Sequence, residues 1–462
     1  MKYIYNLIIK LSQLNLTKKI KMVKTLAPPD TVKGMTKLNR DAFTSNYEVP
    51  CLNLGNVSPQ IILPAVKKYL LKLRNYKAVK IVDDNLMITL DPSKVESIND
   101  IDKPDLDIIK KYTSCIDKTM LTLKYDNWNA EQIFKAIIPD DIDVPSSYTK
   151  VGHIVHLNLR DNQLPFKDII GQIYLDTTSQ TKTVVNKLNN INNEYRNFSM
   201  EILAGENNTI ATLKENNCQF KFDFSKVYWN SRLSTEHERL LEFMKKNDVL
   251  YDVFCGVGPF SIPAAKKGVT VMANDLNPES YKWLMENAKI NKIKNNLNCY
   301  NKDGRDFLRN DVKNNLLARR KNNEDGNEHI AMNLPALAYE YLDVFHDWLN
   351  DDEINLITKK PPLIHLYCFV KVKKEDDPKL AAKKLVESVI NCELTDDALK
   401  IIHYVRNVAP AKDMMRVSFY LTEKIMKQGE PLKKKAKIDN VDYDISDKHG
   451  EKQEADEEKT CQ

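Results

Sequence analysis

Residues 248–277 read DVLYDVFCGVGPFSIPAAKKGVTVMANDLN, and their order of apolar run, glycine turn, helix-like stretch and second apolar run decides the fold. VLYDVF and VTVMAND are short and rich in apolar and β-branched residues, which is how a strand buried on both faces reads. Outward from this segment the unit recurs, because LNCYNKD, HIAMNLP and LIHLYCFVKV each precede a stretch of helical spacing. Five strand–helix repeats in about 150 residues specify an α/β fold, a doubly wound parallel sheet covered by helices. KIIHYVRNVAP and RVSFYLTE then add two strands. Upstream, VGHIVHLNL reads as strand, DNQLPFKDIIGQIYLD as helix after Pro165, and TKTVV, FSMEILAG, NTIATLKE and CQFKFDF as short strands, which together describe a mixed α+β domain. His153 and His156 could pair on a metal, but no Cys or carboxylate cluster lies near them in sequence, and they read as strand residues; no metal is expected.

The loops that leave these strands are where such a sheet binds ligands. Gly256 and Gly258 occupy the turn from first strand to helix, where missing Cβ atoms let the backbone approach a ligand. The dinucleotide fingerprint G-x-G-x-x-G is absent, since position 261 is Ser. Asp275, 23 residues after Asp252, ends the second strand, where an acid accepts hydrogen bonds from ribose hydroxyls. Asp303-Gly304 ends the third strand and Asn333-Leu334-Pro335 the fourth. Each alone also reads as a loop acid or a helix cap, and their concurrence at four successive strand ends favours a binding site. A sheet of about seven strands ending in such a pair resembles that of S-adenosylmethionine-dependent methyltransferases. The resemblance implies Asp303 beside an adenine and Asn333 beside a reactive methyl.

The chain has 462 residues, 42% hydrophobic and 29% charged, with 12 Gly and 19 Pro, which excludes collagen-like and wholly disordered chains. No run approaches the roughly 18 apolar residues of a membrane-spanning helix, and mean hydropathy is −0.48. Eight Cys, at 51, 115, 218, 255, 299, 368, 392 and 461, form no C-x-x-C pair, so reduced thiols in an intracellular compartment are expected. The net charge of +5 is the difference between 69 basic and 64 acidic residues. From Gln60 to Val82, Lys67, Lys68, Lys72, Arg74, Lys77 and Lys80 occur with no acid, either a phosphate-facing patch or a solvated helix face.

Residues 1–29 hold six Lys and no acid among Ile4, Ile8, Ile9, Leu11, Leu14 and Leu16, a basic amphipathic leader of the kind that targets mitochondria, though no Arg precedes Arg40. Initiation at Met22 would omit it, so mitochondrial matrix, nucleus and cytoplasm are all expected destinations. After Ile425 a Lys run and then acids predominate, which reads as a disordered tail. The expected partition is therefore leader 1–29, N-terminal domain 30–110, middle α+β domain 111–230, Rossmann-like domain 231–425 and tail 426–462.

LNRDAF (38–43), HLNLRDNQLPFKDIIGQI, NEYRNFSMEILAGE (193–206), KVYWNSRLSTEHER (226–239), DVFCGVGPFSIPAAKKG, NDLNP, DGRDF, NLP and VRNVAPAKDMMRVSFYL occur in that order. In this series the sequence resembles the eukaryotic and archaeal tRNA (guanine-37-N1)-methyltransferases over about residues 35–425. The resemblance implies an enzyme that methylates N1 of the guanine 3′ to the anticodon, which maintains the reading frame. It also implies a small N-terminal domain contacting the tRNA corner, tRNA as partner, S-adenosylmethionine as cofactor and a monomer with no obligate protein partner. By the same resemblance Glu236 is the general base, Arg196 stabilises O6, and Asn333 positions the base. The cofactor falls to His237, Asp252, Gly256, Gly258, Asp275, Leu276, Asp303, Gly304 and Asn333, and the substrate to Tyr228, Arg232 and Pro335.

The chemistry asks for these types. Guanine N1 carries a proton and a delocalised lone pair, so methylation needs a base for the proton and a cation for the charge growing on O6. Glu236 also reads as part of a helix start, with Thr235 and Glu238 as a capping box. Two other functions compete. An aminocarboxypropyl transferase of wybutosine synthesis would share the cofactor fold, although Asn333-Leu-Pro with Glu236 favours methyl transfer. A non-catalytic tRNA-binding protein would have no need of acids at 252, 275 and 303.

Overall fold

The computed structural model describes residues 25–188, 199–373 and 375–427. The leader up to residue 24, Arg196 and the tail from residue 428 lie outside them. The chain falls into two compact units that divide between Thr209 and Ile210.

In the first unit β1 (Ser45–Asn53), β2 (Val79–Val82), β3 (Asn85–Thr89) and β4 (Asp117–Leu123) form an antiparallel sheet in the order β2-β3-β1-β4. A second sheet orders β5 (Thr149–Val151), β6 (Ile154–Leu157), β7 (Thr183–Lys187) and β8 (Met200–Gly205), with the helix Lys167–Thr177 packed on it. One apolar core runs from Val32 and Phe43 through Trp128 and Phe134 to Ile170 and Val184. The expected boundary at 110/111 is therefore not a structural one. β4 lies beyond it yet pairs with β1 from Ser45↔Leu123 to Cys51↔Asp117, so cutting there would strip an edge from the first sheet.

The second unit opens with a hairpin of β9 (Ile210–Glu215) and β10 (Cys218–Asp223). Asn216 and Asn217, at φ +47° and +59°, make its two-residue turn, a conformation Asn tolerates better than most side chains. The expected boundary at 230/231 is corrected here to 209/210. Asn291 clamps Gln219, accepting from its amide (2.9 Å) and donating to its carbonyl (2.7 Å), and Asn287 accepts from Lys221 N, which ties β10 to the helix Pro278–Ile290.

The main sheet holds β11 (Val249–Asp252), β12 (Thr270–Asn274), β13 (Leu297–Tyr300), β14 (Glu328–Met332), β15 (Leu363–Lys371), β16 (Leu399–Ala409) and β17 (Lys412–Tyr420) in the order β13-β12-β11-β14-β15-β17-β16. The first five are parallel, and β17 inserts antiparallel between β15 and β16. Because β11 and β14 sit centrally and are buried at every residue, they read as uninterrupted runs. The order reverses between β11 and β14, so the loops after β11, β12, β13 and β14 converge on one crevice at the carboxyl edge. No described helix is long and apolar enough to cross a membrane.

Candidate active site

The turn after β11 supplies the floor of the crevice. Gly256 has φ +54° and a Cβ there would meet nothing within 4 Å, so its front is open. Gly258, at φ +96°, has a different reason to be glycine. A Cβ would come 2.7 Å from Leu284 Cδ1 and 2.8 Å from Ile262 Cγ1, so its bareness lets two helices close on the turn.

Asp252 is fully buried, its Oδ2 accepting from Ser261 Oγ (2.6 Å) while Oδ1 has no hydrogen-bond partner. Burial, with repulsion from Asp275 and against the Ser261 bond, pushes its carboxyl up to about 7. Asp275 accepts from the amides of Gly256 (2.8 Å) and Asn277 (2.9 Å), which fixes its carboxylate against the glycine turn; burial raises its pKa despite both amides. Leu276 beside it is 41% exposed, an apolar surface at the crevice edge.

Buried Asn274 holds three of the loops together. Its Nδ2 donates to the carbonyls of Val253 (3.2 Å) and Lys302 (3.0 Å), and its Oδ1 accepts from Lys302 N (3.0 Å). Asp303 caps the next helix by accepting from Arg305 N (2.7 Å). A Cβ on Gly304 would come 2.9 Å from Phe254 and 3.0 Å from Tyr341, whose rings meet edge to face at 4.9 Å. After β14, Phe369 N donates to Pro335 O (3.0 Å), which pins the Asn-Leu-Pro turn, and Asn333 Oδ1 is buried with no hydrogen-bond partner. Unsatisfied acceptors on Asn333 and Asp252 around an open glycine turn are what a polar, cationic ligand would complete.

Glu236 lies on the helix Ser234–Glu242, which the chain enters through the 3₁₀ turn Ser231–Leu233, capped by Asn230. That entry starts the helix at Ser234 and places Thr235 within its first turn, so the capping box of Thr235 and Glu238 does not form. Glu236 is 3% exposed. Its Oε1 lies 3.0 Å from Tyr367 Oη and 2.8 Å from Arg416 Nη1, and its Oε2 lies 2.6 Å from Arg239 Nη1 and 3.7 Å from His403 Nε2. The pairing Met332↔Leu366 puts Tyr367 one residue further along, level with Asn333, so Glu236 belongs to the fourth strand end.

His237 is equally buried, its Nδ1 2.6 Å from Glu215 Oε1 and its ring 5.0 Å from that of Phe260. Only its other nitrogen is left for a ligand. Tyr228 is 56% exposed and Arg232 is exposed, both on the segment leading into the helix. The residues that sequence reasoning missed are Phe254, Tyr341, Asn274, Tyr367, Arg416, Arg239 and His403. Asn274 lies inside the quoted NDLNP stretch, whereas Tyr341 carries no local signal.

Elsewhere the structure dismantles part of the basic run. Lys68 pairs with Asp102 and, at 2.7 Å, with Asp105, and Arg74 Nη2 donates to Asp176 O (2.6 Å). Lys67, Lys72, Lys77 and Lys80 stay exposed, and only Pro59–Val66 of this stretch is helical. His156 on β6 is half-buried, and that desolvation lowers its pKa to about 4, while His153 Nε2 sits 3.1 Å from Asn208 O. Among the described residues no three His, Cys, Asp or Glu gather as for a metal ion.

The 3-2-1-4-5-7-6 arrangement of the main sheet, counted from β11 as its first strand, and the four loops on one crevice define an S-adenosylmethionine-dependent class I methyltransferase. The TRM5/TYW2 methyltransferase domain matches residues 211–389 and the TYW2 N-terminal domain residues 130–209. Curated relatives called tRNA (guanine(37)-N(1))-methyltransferase include one from Anopheles gambiae, 45% identical over 89% of this chain and 73% of its own length. Others come from Drosophila melanogaster (45% identical, 87% and 88%) and Mus musculus (42%, 86% and 79%). The chain belongs to the tRNA (guanine(37)-N(1))-methyltransferase family. Among solved structures, Trm5b from Pyrococcus abyssi shares the fold at a TM-score of 0.53 and 23% identity, covering 80% of this chain and 99% of that one. A complex of aTrm5 with tRNALeu aligns with a TM-score of 0.53 and 22% identity over the same shares.

Proposed function

We propose that the protein transfers the methyl group of S-adenosylmethionine to N1 of guanine 37 in tRNA. The observation that carries this reading is a buried carboxylate, Glu236, level with an Asn333 whose Oδ1 awaits a donor, both at the strand end next to the glycine turn. Bound S-adenosylmethionine supplies an electrophilic methyl group on sulfur. Asp275 and Gly256 hold its ribose side, Asp303, Gly304 and Leu276 its base side, and Asp252 with Asn333 its cationic end. Asn333 orients the guanine, Glu236 takes the N1 proton, and Arg196 meets the charge on O6. Tyr228 and Arg232, exposed before the helix, face the target nucleotide and its phosphates, and Pro335 lines the base.

The test is methyl transfer onto an unmodified tRNA transcript with guanine at position 37, beside an adenine-substituted control. Methylation of guanine alone is expected, and equal or absent methylation sinks the assignment. The match of residues 130–209 to the TYW2 N-terminal domain keeps aminocarboxypropyl transfer as the second reading. The mass of the modified nucleoside separates the two. We further propose a monomer, and a leader that sends the full chain to mitochondria while initiation at Met22 leaves product in cytoplasm and nucleus. Fluorescent fusions of the two forms with identical distributions would refute the last point.

A further inference from the structure

The proposed base does not stand free in its crevice. Tyr367 on β15, Arg416 on β17 and His403 on β16 are cross-strand partners in one row, Tyr367↔Arg416 and His403↔Arg416, and all three reach Glu236. Resting on the reading of Glu236 as the base, we infer that this row is a positioning cradle in which Tyr367 and Arg416 immobilise Oε1 so that Oε2 is the oxygen that receives the N1 proton.

The two oxygens are held differently. Both partners of Oε1 are buried and set by sheet register. Arg416 is 1% exposed, with its guanidinium 4.9 Å above the Phe243 ring, and Tyr367 is fully buried and stacks on Phe260 next to the glycine turn. The partners of Oε2 are looser, Arg239 with a third of its side chain exposed and His403 with about a quarter. A base with both oxygens engaged accepts a proton only where a partner yields, and the half-open Arg239 yields more readily than groups locked in a sheet. Burying a guanidinium is costly, and an apolar pair would fill the same space, so its place against Glu236 calls for a reason beyond packing. The charged groups that face this carboxylate are Arg239 from its own helix and Arg416 from the sheet; the titratable His403 beside them has its pKa lowered by burial, with Lys379 adding to that lowering. In the step, the N1–H pair stays on the ring as the proton moves to Oε2, and N1 then bonds to the methyl carbon as the sulfur–carbon pair returns to sulfur.

The experiment is a double-mutant cycle on single-turnover methylation by the full chain with saturating tRNA and S-adenosylmethionine. Tyr367→Phe removes one hydroxyl from the row, and misplacing a reacting group by a fraction of an ångström should slow transfer by about tenfold. In a Glu236→Gln background the same change should cost nothing further, because it acts only through the carboxylate. Arg416→Lys, which keeps a cation but loses the guanidinium seated over Phe243 beside Oε1, should behave alike, and loss of a donor should move the acid limb of the rate profile of Tyr367→Phe to higher pH. Equal slowing in both backgrounds, or none in the parent, overturns the cradle. A Glu236→Gln variant as fast as the parent overturns the base reading itself, and the cradle with it.

Discussion

Asp252 is an acid kept where ionisation is expensive, and replacing it by asparagine exposes that cost. Its folded pKa of about 7 stands above the ordinary value of 3.8, so the folded chain binds this proton more tightly than the unfolded one. Its contribution is therefore neutral below about pH 4, and stability is lost as pH rises towards 7. A shift of about three units at about 1.4 kcal/mol each comes to about 4 kcal/mol above pH 7, of which about 2 kcal/mol develops between pH 5 and 7. An asparagine side chain at this position has nearly the same shape, can still accept from Ser261, and never ionises. Urea unfolding of the ligand-free chain should therefore show Asp252→Asn more stable than the parent at pH 8, with an advantage that shrinks by up to about 3 kcal/mol at pH 5. A cationic ligand at the strand ends would favour the ionised form, so the same variant should bind S-adenosylmethionine more weakly at pH 8. An Asp252→Asn variant whose stability relative to the parent does not change with pH would refute the account of a buried, penalised carboxylate.

The other predictions concern the remaining loops and the tRNA surface. Asp275→Ala removes the acceptor for the Gly256 amide and for two ribose hydroxyls, each charged hydrogen bond being worth about 1.5–3 kcal/mol; calorimetry should register a large loss of S-adenosylmethionine affinity, and unchanged affinity rules out the placement. Glu236→Gln should slow single-turnover transfer by about 10²–10⁴-fold at unchanged tRNA affinity, checked by rapid quench across pH. Charge reversal of exposed Lys67, Lys72 and Lys77 should weaken tRNA binding and flatten its salt dependence, since each lost phosphate contact removes counterion release. Reversal of Lys68, already neutralised by Asp102 and Asp105, should change the salt slope less, and equal effects at all four would contradict the division.

What sequence by itself determined is what is encoded locally. The apolar runs VLYDVF and VTVMAND, the glycines between them and the acids after each run sufficed for the parallel sheet and for the loops at its carboxyl edge. A central strand must be apolar on both faces and a strand-end turn must be sterically bare, and both demands are met by neighbours in the chain. Tertiary structure alone decided who meets whom. Glu236 faces Tyr367, 131 positions away, because helix and sheet happen to pack at that register. Lys68 finds its acids 34 and 37 residues on, so a run that looked uniformly basic is partly neutralised. Gly258 proved to be hemmed in by Leu284 and Ile262, and the hairpin 210–223 joined the sheet domain through two asparagines. Such pairings depend on strand register, helix azimuth and burial, which arise only once distant segments have packed, and the energies of ion pairs and buried acids follow from that packing.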